Sequence, residues 1–464
     1  MHKFYKLTLA ITIITLITAP TPAQASDITP ITSFEDLQKI GREAGYSLNG
    51  NYELTNDIDA SASRNLTGGF TPIGGTFTGH FDGNGYKITG LYISRSGLSN
   101  VGLFSSVGEG GAISSLGVEG DSIIGNQAVG GLVGRLNGGT VTDCYFTGVV
   151  RGTRMTGGLV GTNNGGTITY SYSAGTVMGN YAEIGGLVGG SLSGDIIYSY
   201  STANVIGMTS LGGLVGDFNS GKISGCYSAG DVNGSADAVG GLVGSSHGEV
   251  TDCYSTGRVM GMEPIGGLIG TSTGNITNCY STGAIELIAI APPQFMGGLV
   301  GQRWNNMGAI TQSFWDYQTV GGYSTYINSF DDGRTTAEMY RQSTFVGWDF
   351  ENVWRIDEEN GYPYLAWQSG GVTSASRDRV SRGINKNSFA PAVTVRGKML
   401  NVKTLSSTQN LQVRLIDMRG RTMTRFDMTG GGNMSLNKIS AGRYIVDMRD
   451  METGRRFSSP IVLR

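Results

Sequence analysis

Residues 157–179 read GGLVGTNNGGTITYSYSAGTVMG, and the chain then says nearly the same thing again. Read once, the glycines look like a loop that cradles phosphate. Such a loop needs a preceding strand, a helix whose N-terminus faces the anion, and usually a Lys beside Ser or Thr. This stretch has no Lys and no helical pattern after it, and it is not alone. Gly-Gly-Leu-Val/Ile-Gly starts at Gly130, Gly157, Gly185, Gly212, Gly240, Gly266 and Gly297, with Gly102-Leu103-Phe104 as a degenerate earlier copy. A corner recurs with every turn of a repeat, whereas a cofactor site need not, so no cofactor is expected.

Between these anchors lies a second one: CYFTG at Cys144, SYSAG at Ser171, SYSTA at Ser199, CYSAG at Cys226, and CYSTG at Cys253 and Cys279. A short apolar segment follows, as in Val177-Met178 and Val205-Ile206. Each unit therefore offers three short strands separated by Gly, Asn and Ser, with no 3.6-residue period. A unit so small cannot bury its own apolar side chains, but stacked copies share a core. The expected fold is all-β: a parallel β-solenoid, one unit of about 27 residues per coil, with neighbouring coils ~4.8 Å apart. Leu132, Leu159, Leu187, Leu214, Leu242, Leu268 and Leu299 would form one buried ladder, and the corner glycines would adopt backbone angles closed to other residues.

The 464 residues include 76 Gly but only 10 Pro. No Gly-X-Y period is present, which excludes collagen. Residues 26–370 carry 14 Lys+Arg against 30 Asp+Glu, a net of −16, while residues 371–464 carry 17 against 6, a net of +11. Two regions with different surfaces are implied, and no nucleic-acid partner is expected. At the start, Lys3 and Lys6, an apolar run over residues 7–19 and Ala23-Gln24-Ala25 have the form of a cleaved export signal. The remaining chain has no apolar run long enough for a membrane helix.

The units resemble GLUG-motif repeats of bacterial surface proteins, some of them immunoglobulin A peptidases. GYSLNGNYELTNDIDASA (residues 45–62) and GGFTPIGGTFTGHFDGNGYKITGLYI (68–93) are similar to segments that precede such repeats; SFWDYQTVGG and residues 333–367 are similar to segments that follow them. Both ends of a solenoid need cover. Thr32 or Ser33 is placed to cap a helix bearing Phe34, Leu37 and Ile40, and Thr335-Thr336-Ala337-Glu338 has the form of a capping box ahead of Trp348, Phe350, Trp354 and Trp367. Short alternating strands at 393–395, 411–417, 443–448 and 459–463 predict a small β-sandwich. VRLIDMRGRTMTRF, LNKISAGRYIVDMRD and the terminal PIVLR resemble type IX-like secretion sorting domains, which implies an export machine as partner. The expected division is 1–25 signal, 26–100 N-terminal cap and first coils, 101–320 repeats, 321–368 C-terminal cap, 369–390 linker and 391–464 sandwich.

Several chemistries are weighed against this scaffold. The peptidase activity of some relatives would need a His-Glu-x-x-His zinc site; with only His2, His80 and His247, this chain cannot form one. His80 and Asp82 fall beside a turn marked by Asp-Gly-Asn-Gly. The carboxylates Asp57, Asp59, Asp143, Asp195, Asp217 and Asp252 are candidates for a polysaccharide lyase, yet they scatter over different coils with few bases beside them. Thr140/Thr142 and Thr167/Thr169 begin a flat threonine row that fails at Asp195-Ile196-Ile197. The four cysteines occupy one repeating place shared with Ser171 and Ser199, which favours a stack of buried thiols and hydroxyls over a bridge within Cys226, Cys253 and Cys279.

The next position is Tyr145, Tyr172, Tyr200, Tyr227, Tyr254 and Tyr280. If the Cys/Ser place points inward, alternation turns these tyrosines outward as a stacked row, either a stabilising ladder or a platform for flat sugar faces. No catalytic or metal site is expected. The function expected is an exported, non-catalytic adhesin or spacer at the outer surface of a Gram-negative-type bacterium, contacting polysaccharide or another surface. A polysaccharide-degrading enzyme on the same fold is the alternative.

Overall fold

A computed structural model describes residues 28–288, 294–304, 307–320, 332–369, 392–396, 399–403, 410–417, 422–429, 432–436, 439–440, 442–450 and 456–463. The expected signal (1–25) and nearly all of the expected linker (369–390) lie outside the described residues. Within them, the chain winds into a parallel β-solenoid of about 10 turns. One coil shows the plan. Arg154–Gly157 adds a strand to a seven-stranded sheet, Val160–Thr169 to an 18-stranded sheet and Tyr172–Gly179 to a 15-stranded sheet, after which the next coil begins.

Register follows the sequence period. Val133 pairs with Val160, Val188, Val215, Val243, Ile269 and Val300 in turn. Phe104 pairs with Val133 and Ile73 with Phe104, so the degenerate copy and the segment before it are coils too. All seven ladder leucines are buried, each stabilising by about 1.5–3 kcal/mol relative to exposure.

The anchor glycines serve another purpose than the one expected. None of those in Gly-Gly-Leu-Val-Gly has a positive φ. They are needed because backbone and side chains pass too close for a Cβ. A Cβ on Gly157 would sit 2.1 Å from the Val160 carbonyl oxygen, and one on Gly161 2.4 Å from the Ala128 backbone. The second glycine leaves a hole for the next coil face. Ser173 fills the hole beside Gly158 and donates to the Gly186 carbonyl at 2.6 Å, and Ser228, Ser255 and Ser281 repeat this bond at 2.6 Å. Phe146 fills it at Gly131 and Trp315 at Gly298.

The positive-φ corners lie elsewhere. One column of them is Asp143, Tyr170, Tyr198, Gly225, Asp252, Asn278 and Gln312, with φ of 49–62°, and a second, two places before the anchor, is Ala128, Met155, Glu183, Ser210 and Ala238, with φ of 52–61°. Only one of these is glycine, so the stack on either side must hold the others in a conformation unfavourable by about 1–3 kcal/mol each. Also unlike the expectation, Asn163-Asn164-Gly165-Gly166 does not break the strand. Val160–Thr169 is continuous, and two compensating register shifts against Val188–Ile197 restore the same pairing after Gly166. Asn163 closes this bulge on itself, accepting from Gly166 N–H at 2.9 Å and donating to its carbonyl at 3.1 Å.

At the N-terminal end, helix α1 (Phe34–Lys39) lies with Phe34, Leu37 and Ile40 buried. Ser33, not Thr32, is its cap: Ser33 Oγ accepts from Asp36 N–H at 3.2 Å, while Thr32 Oγ1 donates to Asp36 Oδ2. Toward the other end, helix α2 (Thr336–Met339) starts with the expected Thr335/Glu338 capping box. The final region forms two antiparallel sheets of three and four strands that share buried Leu400, Leu411, Val413, Leu415, Leu436, Ile439, Val446 and Met448. Three of its seven strands, Met399–Lys403, Thr422–Thr429 and Gly432–Ser435, lie outside the four expected from sequence.

Candidate functional site: the tyrosine face

The Cys/Ser column comes first, because it sets which way the tyrosines point. Each member follows a positive-φ corner and turns inward. Ser171 Oγ donates to the Thr169 carbonyl at 2.8 Å and accepts the Cys144 N–H at 3.1 Å. Ser199 Oγ donates to Ile197 O and accepts Ser171 N–H; Cys226 Sγ donates to Ser224 O and accepts Ser199 N–H. Cys253 continues the column toward Cys226, and Ser313 ends it at Cys279. A small side chain that both donates and accepts satisfies two backbone groups per coil, which is why Ser and Cys alternate freely here. All four thiols are buried and unbridged. Burial pushes the thiols of Cys144, Cys226 and Cys279 up, so they remain protonated donors.

With that column inward, Tyr145, Tyr172, Tyr200, Tyr227, Tyr254 and Tyr280 point outward in register. Successive ring centroids are 4.8–5.0 Å apart, with interplanar angles of 4–11°. Parallel rings this close overlap face to face. The row therefore turns ring edges and hydroxyls, and not open ring faces, to the outside. Tyr145 ends the row against Gly117, where a Cβ would lie 2.3 Å from its Cζ. Burial raises the phenol pKa along the whole row, so it is uncharged and can donate.

The segment expected as an end cap adds the strand Asp332–Arg334 to the last coil at Phe314–Asp316 and then runs back along this row. Trp348, Trp354 and Trp367 donate their indole N–H groups to Gln312 O, Asp252 Oδ1 and Gly225 O, stepping from corner to corner back toward the N-terminal coils. Tyr280 donates to Pro363 O, and Tyr254 shares a hydrogen bond with Gln368. Tyr254 and Tyr280 are only 7% and 2% exposed as a result. Tyr145, Tyr172, Tyr200 and Tyr227 stay half-buried, with Trp367 against the edge of Tyr200 and Tyr227. A second pair, Tyr170 and Tyr198, lies beside the open stretch with ring centroids 5.2 Å apart and planes tilted by 35°. Sequence reading passed over that pair, although both are tyrosines one place before the column.

The carboxylates raised as catalytic candidates have local partners. Asp57 accepts Lys87 N–H, Asp59 accepts Ser61 N–H, Asp195 accepts Lys222 N–H, and Asp217 accepts from Asn219. Asp252 accepts from Asn278 and Trp354, and burial raises its pKa against those bonds. Asp143 is an exposed corner beside Tyr145. His80 begins the strand His80–Asp82, and Asp82 closes the turn that follows by accepting Asn84 N–H. The threonine row ends where expected, since Thr167 pairs with Asp195 and Thr169 with Ile197.

Comparison with known proteins finds the GLUG motif at residues 125–151, 235–260 and 265–286. Halomucin of Haloquadratum walsbyi is 42% identical over 127 residues, which is 26% of this chain and 1% of that protein. A "Putative Gly-rich membrane protein" of Evansella cellulosilytica is 41% identical over 91 residues, 19% of this chain and 10% of its own length. The chain thus spans a small part of either relative. Among solved structures, a "putative immunoglobulin A1 protease" from Bacteroides ovatus aligns with 74% of this chain and 93% of its own at 17% identity and a TM-score of 0.43. A protein from Bacteroides vulgatus with an immunoglobulin-like β-sandwich fold aligns with 16% of this chain and 83% of its own at 16% identity and a TM-score of 0.15. Among the described residues no helix is long and apolar enough to cross a membrane. The family-level finding is that this chain carries GLUG motif repeats wound as a β-solenoid.

Proposed function

We propose that this chain is an exported, non-catalytic module of the cell surface, in which the solenoid holds a binding face away from the cell. The observation that carries the reading is the in-register stack itself. Ten or so coils turn single residues into straight rows, and one of those rows, Tyr145 to Tyr227, is left partly open. A surface built this way suits a long repetitive partner such as polysaccharide better than a small molecule. The name of halomucin and the membrane description of the Evansella relative support a surface setting. The candidate carboxylates are spent on turns and corners, which supports binding over bond cleavage.

In the same reading, the C-terminal sandwich directs export or attachment. Its sorting-domain resemblance and the +11 charge of residues 371–464 support this role and a contact with anionic outer-surface glycolipid. Deleting residues 391–464 is expected to release the protein from the cell surface; unchanged location would refute that assignment. The binding role is tested by incubating the chain with a panel of insoluble polysaccharides. Retention on at least one, with no reducing or unsaturated sugar in the supernatant, is the expected result. Soluble product would establish the enzyme reading instead.

A further inference from the structure

We propose that the open stretch of the tyrosine face takes an uncharged, extended glycan chain lying along the solenoid axis. The chain would run over a floor of Thr147, Ala174 and Thr202 and against the hydroxyl edges of Tyr172 and Tyr200. This rests on the binding reading above and fixes its ligand class and path.

The floor follows from alternation, since the residue two places after each tyrosine points to the same side. Thr147 and Ala174 are paired directly. Thr202 and Ala229 continue the row, their N–H groups donating to Ser173 and Ser201 of the preceding coil at 3.0 and 2.9 Å. Thr202 and Ala229 are exposed. The side chains here are small, so the tyrosines stand above them as a wall parallel to the axis. Beyond the floor, Val149, Thr176 and Asn204 form a third row in register.

Across these three coils, all nine positions in the tyrosine, floor and third rows are uncharged, within a region whose net charge is −16. Charges appear at the borders, among them Arg151, exposed on the same face two places past Val149. Glu119 stands in register with Thr147 one coil earlier and is held by Lys87 at 3.0 Å. Asp143 is exposed at the corner beside Tyr145, and on the other side Asp231 is engaged by Arg258. A polyanion would meet carboxylates at both ends, and the one cation beside the three rows among the described residues of these coils is Arg151, which lies outside the floor.

The available chemistry is phenol and threonine hydroxyls set beside aromatic edges, repeating about every 5 Å. Among the described residues, the hydroxyls of Tyr172 and Tyr200 have no hydrogen-bond partner, whereas those of Tyr254 and Tyr280 are taken by the C-terminal segment. Sugar hydroxyls and C–H groups complement this pattern. A peptide fits it poorly: the strands of these coils pair with neighbours on both sides, leaving no edge to extend, and a floor of Ala and Thr offers no pocket for an anchoring side chain.

The test measures retention of the full chain on insoluble neutral glycans (β-glucan, xylan, mannan), on acidic glycans (pectate, alginate), and on an immobilised tryptophan-rich peptide. Parent protein should bind a neutral glycan in preference to the acidic ones. Thr202→Glu and Ala174→Glu place a charge on the floor and should weaken that binding at least about tenfold, because a carboxylate would lose water without gaining a partner. Tyr200→Phe should cost about threefold to tenfold through one hydroxyl. Leu192→Glu, at an exposed position on another sheet, should change nothing, and thermal melts establish that each variant is folded. Preference for acidic glycan, capture by the peptide alone, or indifference to both floor charges would overturn this inference while leaving a binding module standing. Absence of binding to every glycan would remove the binding reading as well.

Discussion

Ser199→Ala asks how much of the solenoid is held by the inward Cys/Ser column. Ser199 is fully buried, so water cannot replace what its hydroxyl does. Its Oγ accepts the Ser171 N–H at 3.2 Å and donates to the Ile197 carbonyl at 2.9 Å. Alanine removes both bonds. The Ile197 carbonyl still accepts from Tyr170 N–H at 3.1 Å, so the lasting damage is one orphaned, buried N–H at Ser171. That predicts a loss of about 1–3 kcal/mol. Ser199→Cys should be far milder, under about 1 kcal/mol, because Cys226 makes the same two bonds one coil on, at 3.4 and 3.3 Å. The assay is urea unfolding of parent and both variants, followed by circular dichroism and by exchange of the Ser171 amide. The second probe matters because repeat arrays can open in parts. Stability falling in the order Ser, Cys, Ala, with faster exchange at Ser171 in the alanine variant, is the expected outcome. An alanine variant matching the parent within ~0.5 kcal/mol, with Ser171 still protected, would refute the reasoning.

Other expectations follow from the same geometry. Gly186→Ala would place a Cβ 2.0 Å from the Gly213 carbonyl and 2.2 Å from Ser201 Oγ. It should cost at least about 3 kcal/mol in denaturant melts, whereas Gly97→Ala, which meets nothing within 4 Å, should be silent. Thiol titration without reductant should find four reactive cysteines after unfolding and none before; two after unfolding would mean a bridge in the column. Asp36 is held at a pKa of about 2, first by its bond with Lys39 and further by Thr32. Because the folded value lies below the unfolded 3.8, its contribution is complete above about pH 4 and lost as pH falls through about 2. Amide exchange across α1 should accordingly rise between pH 4 and pH 2, and Asp36→Asn should flatten that rise.

The period made most of the fold legible. Leucines, tyrosines and the Cys/Ser place recur at nearly constant spacing, and a recurring residue in a stack must meet its own kind, so rows could be read from text alone. What the period could not show was why each glycine is there. A bare Cα demanded by a neighbour's carbonyl and one demanded by positive φ are the same letter, and here the anchor glycines are the first kind while Tyr170, Tyr198 and Asp252 occupy the left-handed corners. The path of the C-terminal segment was also hidden. Trp354 meets Asp252 and Trp367 meets Gly225 across more than a hundred residues of sequence, and nothing local marks that pairing. That segment changes the candidate site most, since it closes Tyr254 and Tyr280 and leaves the N-terminal coils of the row to do any binding. Ring overlap was a further surprise: alternation predicts direction, but only the 4.8–5.0 Å spacing shows that faces are used up in stacking.

The central claim is that each repeat is one coil and that like residues stack in straight rows. Spin labels on Thr147→Cys and Thr256→Cys, with the four native thiols buried and unlabelled, measure it directly. Four coil steps at the 4.8–5.0 Å spacing of the adjoining tyrosines place these positions about 20 Å apart. A narrow distribution near that value by pulsed electron paramagnetic resonance is predicted. A mean beyond about 35 Å, or a broad distribution, would mean that the repeats do not stack coil on coil.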